Sequence, residues 1–111
     1  MSTAIAESET KAMVIGNGHE LVEIAKVLLA VAEVWEKAEA LRHNVKIEAR
    51  PRNGNGQQGR SLSITLENDH EDLGELAEKM GELVSIGEGL IALLQSNRKA
   101  KREIEVTISI I

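Results

Sequence analysis

The chain has 111 residues, 42% apolar and 28% charged, with a formal net charge of −5. That length supports a single domain around one core. The absence of cysteine excludes disulfides, cysteine-ligated zinc and thiol nucleophiles, and the acidic balance argues against sequence-blind coating of DNA, which needs surplus Lys and Arg.

The opening "MSTAIAESETK" lacks the basic start and apolar run of a signal peptide. No apolar stretch is long enough to cross a bilayer, so a cytoplasmic location is expected. Residues 1–10 read as a disordered segment and 11–111 as one domain. "KAMVIG" (11–16) is open between a short first strand, giving the order βαββαβ, and no strand, giving αββαβ. In "VIGNGHE" (14–20) a Gly-Asn-Gly turn precedes a helix start, which is the geometry that offers backbone N–H groups to an anion. The dinucleotide fingerprint needs a third glycine where Leu21 stands, so an ordinary turn capped by Asn17, with Glu20 completing a capping box, is the plainer reading.

From 17 to 44 the apolar residues recur at helical spacing. Leu21, Ile24, Ala25, Leu28, Val31, Ala32, Trp35 and Ala38 form one stripe, and Val27, Val34 and Leu41 widen it. A face that wide predicts burial on two sides. Trp35 is the sole aromatic residue, so the core is built from aliphatic side chains, which bury less area each. A modest core of this kind favours further burial by self-association.

Two runs of period-two alternation follow, "NVKIEARPR" (44–52) and "RSLSITLEN" (60–68), joined by Asn-Gly-rich turn chemistry; they predict a hairpin. Matching the apolar faces sets Val45 opposite Leu66, Ile47 opposite Ile64 and Ala49 opposite Leu62, with Arg50 opposite Ser61. Pro51 cannot donate to a ladder, so either its strand is an edge there or pairing stops before the tip. Around that tip stand Arg50, Arg52 and Arg60, suited to a phosphate or carboxylate. As a bare hairpin end they would simply offset nearby glutamates.

A second helical stretch spans 68–102, capped by Asn68 or Asp69, with Leu73, Leu76, Ala77, Met80, Leu83, Val84, Leu90, Ile91 and Leu94 on one stripe. Gly74 and Gly81 share a face and would admit a close neighbour, while "GEG" (87–89) suggests a kink or break. At its end Arg98, Lys99, Lys101 and Arg102 form a basic cluster, which can either meet a partner or complement the helix dipole. "EIEVTISII" (103–111) reads as a terminal strand able to extend a sheet across a dimer.

These elements predict an α+β two-layer sandwich in which two long helices cover one face of an antiparallel sheet of three or four strands. The order is (β)αββαβ, that of the ferredoxin-like pattern, and the other sheet face is polar. Helices of about 37 Å overhang strands of about 27 Å, so their apolar ends need cover. A second copy is the simplest cover, with Trp35, Leu90, Leu94 and Ile110 as candidate oligomer-interface residues.

No catalytic motif emerges. Ser61, Ser63 and Ser109 lie outward with no histidine predicted nearby, and Glu48, Glu67, Glu103 and Glu105 share a face with Lys46 and Arg50, as in cross-strand charge pairing. His19 with Glu23 supplies only two ligands, too few for a metal. The sequence therefore points to a small non-enzymatic interaction protein, a homo-oligomer without cofactor or metal. It would engage a partner protein or phosphate-bearing ligand through the hairpin tip 50–60 with Arg50, Arg52 and Arg60, and Arg98, Lys99, Lys101 and Arg102 are further candidate ligand-binding residues. The alternative is nucleic-acid binding by the hairpin arm together with that cluster.

Overall fold

Period-two alternation becomes strand in four places and helical periodicity becomes helix in two, in a computed structural model that describes residues 10–52, 61–68, 76–97 and 103–111. The elements are β1 (Thr10–Ile15), α1 (Glu20–Leu41), β2 (Val45–Pro51), β3 (Leu62–Leu66), α2 (Leu76–Ser96) and β4 (Ile104–Ile110). The first strand, which the sequence leaves open, is present, and it starts at Thr10. The hairpin tip with Arg60, the basic run 98–102, and the segment 69–75 with Asp69 and Gly74 lie outside the described residues; Asn68, the other cap candidate, is buried and its side-chain amide donates to the His43 carbonyl at 2.7 Å.

All four strands form one antiparallel sheet in the order β1-β4-β2-β3. β1 and β2 run parallel with β4 between them, and β3 and β4 run parallel with β2 between them, so each helix bridges a split βαβ unit. The predicted hairpin register holds: Val45 faces Leu66, Ile47 faces Ile64 and Ala49 faces Leu62. Pairing of β2 with β3 stops there, before Pro51, while β2 continues along β4 with Arg50 opposite Glu105 and Pro51 opposite Ile104.

The C-terminal strand is where the structure departs most from expectation. β4 is an interior strand, hydrogen-bonded to β1 on one side and β2 on the other. Its ladder groups are satisfied within the chain, so it cannot extend the sheet across a dimer; the edges are β1 and β3. Ile104, Val106, Ile108 and Ile110 all point into the core. Every inward position of the strand is aliphatic, which suits a strand covered by helix along its whole length.

Both helices lie on that inner face and run antiparallel to each other. α1 buries Ile24, Val27, Ala30, Val31, Val34, Trp35 and Ala38. α2 buries Ile86, Gly87, Leu90, Leu93 and Leu94. It is continuous through Gly87 and Gly89, so "GEG" does not break it. Those glycines serve close packing instead. A Cβ on Gly87 would stand 3.3 Å from Leu28 Cδ1 of α1, and one on Gly89 would stand 3.3 Å from Leu62 Cδ2 of β3. Gly81, where a close neighbour was expected, has nothing within 4 Å of a built Cβ.

Candidate functional site

The turn before α1 does hold an anion, and the anion is the chain's own. Gly16 and Gly18 take φ of 113° and 117°, which turns the backbone so that N–H groups converge. The Glu23 carboxylate accepts from the Gly16 N–H at 2.7 Å and from the Asn17 N–H at 3.3 Å. His19 occupies the N-cap position and makes no side-chain cap bond. The expected Asn17 cap is therefore replaced by a first-turn carboxylate reaching back, where it also meets the positive end of the helix dipole. Engaged in this way, Glu23 is not poised with His19 as a metal pair.

The open sheet face carries the polar residues that the alternation predicts. Lys46 and Glu48 are 3.4 Å apart. At the hairpin end of this face Arg52 Nη1 lies 3.3 Å from Glu103 Oε1, and its backbone N–H donates to the Glu103 carbonyl at 2.8 Å. Of the candidate ligand-binding residues, only Arg50 and Arg52 are among those described. They sit side by side at one end of β2, Arg50 exposed and in register with Glu105. Arg60, Arg98, Lys99, Lys101 and Arg102 lie outside the described residues.

Trp35, Leu90, Leu94 and Ile110 belong to the interior of the single chain; Trp35 keeps 7% of its surface and Leu90 none. Folding consumes nearly all of their apolar area; Leu94 keeps 5% of its surface and lines a cavity at the helix layer. Trp35 packs at the α1–α2 junction with the Lys79 ammonium 5.5 Å from its ring centroid. Lys79 also lies 2.7 Å from Glu39.

A different set of apolar residues is left uncovered. Leu21 is 79% exposed, Leu29 60%, Val84 55%, Met80 54% and Ile91 43%. On α1 the half-exposed shoulder runs through Leu21, Ala25, Leu28 and Ala32. On α2 it runs through Met80, Val84 and Ile91, at spacings of four and seven that keep them on one side. Leu28 meets Gly87 midway along the two helices, so the two shoulders form the walls of one apolar groove on the outer surface of the helix layer. Where α1 begins and α2 ends, the groove opens into a cavity of about 190 Å³ lined by Glu20, Leu21, Ile24, Ile91, Leu94 and Gln95. Toward the start of α2 none of residues 76–85 is buried, and Leu83 alone among them is a partly buried hydrophobic packed against the core.

Of the wide apolar face of α1, the single chain buries Trp35 and leaves Leu21 and Leu29 exposed. The available signal was the width itself: one sheet covers only one arc of a helix, and the apolar face of α1 is wider than that. A smaller cavity of about 170 Å³ lies between the β3 edge and α2, lined by Ser61, Leu62, Gly89, Ala92 and Leu93. Among the described residues no helix is long and apolar enough to cross a membrane, and no cluster of His, Asp or Glu has the makings of a metal site. No family model matches the chain, and no curated protein matches it.

Proposed function

We propose that this chain is a non-enzymatic interaction protein that binds another protein through the outer face of its helix layer. The observation that carries the reading is the apolar groove walled by Leu21, Leu29, Met80, Val84 and Ile91. Exposed apolar residues that are contiguous and ordered along two rigid helices mark a contact surface. Self-association through the same face is the second reading, supported by the exposed apolar residues Met80 and Val84 in the first half of α2.

The arginine end of the sheet supports ligand binding less well. Arg52 is engaged by Glu103 through both its side chain and its backbone, so a phosphate there would have to displace an existing partner. Nucleic-acid binding finds little support on the open sheet face. Platforms of that layout hold single strands by stacking bases on aromatic side chains. The only aromatic residue of this chain, Trp35, is buried on the helix side.

A photo-crosslinking amino acid placed at Val84 on the helix layer, and separately at Thr65 on the open sheet face, tests the proposal in host lysate. Discrete protein adducts from position 84 and none from position 65 are expected. The reverse pattern would move the binding face to the sheet and overturn the reading.

A further inference from the structure

We infer that the groove between α1 and α2 receives a cationic amphipathic helix from a partner protein, an inference that rests on the helix layer being the binding face. The warrant is how charge is distributed over the molecule. The two helices together hold eight glutamates against three lysines, a surplus of five that equals the net charge of the whole chain, −5. Acids and bases over the rest of the sequence sum to zero, so the two helices carry a net negative charge of their own.

Placement within the layer sharpens this. Glu36 stands four residues from Ala32 and seven from Leu29, and Glu88 stands four from Val84 and three from Ile91. Both glutamates are exposed and share their helix's uncovered apolar stripe. The lysines do not offset them. Lys79 is bound to Glu39 at 2.7 Å. Lys26 and Lys37 fall on the far flank of α1 with Glu33, which pairs with Lys11 of β1 at 3.7 Å. What remains along the groove is an apolar floor with an acidic rim.

That combination selects its occupant. An apolar ridge at helical spacing fills the floor, and Lys or Arg beside the ridge meets the rim. Helices of 22 and 21 residues make a groove about 30 Å long, which a partner helix of about 18–20 residues spans. A second copy of this layer would instead set one acidic surface against another. An anionic lipid surface or a nucleic-acid strand is repelled for the same reason.

Two labelled synthetic peptides of about 18 residues test the inference against the full chain by fluorescence anisotropy. One has a Leu/Ala ridge flanked by Lys, and its twin has Glu in place of each Lys. The cationic peptide is expected to bind about tenfold or more tighter than its twin, and more weakly as salt rises. Glu36→Lys with Glu88→Lys should erase most of that preference, and Val84→Asn with Ile91→Asn should abolish binding while circular dichroism stays unchanged. Equal binding of the two peptides, or a preference that survives the charge reversal, overturns the inference and leaves the helix-layer reading standing. Failure of both peptides, together with a dimer in light scattering that Val84→Asn with Ile91→Asn dissociates, assigns the groove to a second copy and also overturns it. Failure of both peptides with a monomer throughout removes the inference and the helix-layer reading together.

Discussion

Arg42 ends α1 with φ 63° and ψ 37°, in the left-handed region. The His43 N–H donates to the Ala38 carbonyl at 2.9 Å and the Arg42 N–H to the Glu39 carbonyl at 3.1 Å, closing the last turn as a Schellman motif. A side chain at such a position costs what glycine avoids, so Arg42→Gly should stabilise the fold by about 0.5–1 kcal/mol in urea unfolding. Gly81 is the converse case. It lies inside α2 with nothing within 4 Å of a built Cβ, and Gly81→Ala should add about 0.5–1 kcal/mol by restricting the unfolded chain and favouring helix. Glu23 holds two turn amides with a half-exposed carboxylate. Glu23→Ala should cost about 1 kcal/mol, at the low end for charged hydrogen bonds because water competes for the site.

At the scale of the element, periodicity names a helix or strand without saying which of its sides is covered. Leu21 and Ile24 belong to one stripe by spacing, yet Leu21 is exposed and Ile24 is buried. The sheet touches one arc of α1, and Leu21 falls beside that arc on the shoulder facing the groove. Leu21→Ala should therefore change stability by no more than about 0.5 kcal/mol. Ile108→Ala, at the middle of the interior strand β4, should cost about 2–5 kcal/mol in the same denaturant titration. The glycines of α2 follow the same logic: in an isolated helix they weaken it, whereas here Gly87 lets α2 approach Leu28 of α1. Gly87→Val should cost about 1–3 kcal/mol through overpacking, despite the better helix propensity of valine.

Across the whole molecule, two faces of opposite character result from stacking one sheet under one helix pair. The open sheet face mixes both charge signs with small hydroxyls, and the helix layer concentrates apolar surface and negative charge. Like-charged layers repel less as salt screens them, so any self-association through the helices should strengthen with ionic strength. Sedimentation velocity at low and high salt measures this. A dimer that is tight at low salt and loosens on salt addition would show that another surface, with complementary charges, holds it.

The order αββαβ after an open first segment, the hairpin register and the polar outer face were legible in the sequence, because local periodicity and turn chemistry encode them over a few neighbouring residues. Val45, Ile47 and Ala49 could match Leu66, Ile64 and Leu62 in only one alignment that kept their apolar sides together. Only the tertiary structure decided that β4 lies inside the sheet, that Gly87 and Gly89 are packing contacts, and which part of each helix's apolar face stays uncovered. Those outcomes depend on contacts between segments far apart in the chain, where steric fit and competition for a single buried face settle what spacing alone leaves open.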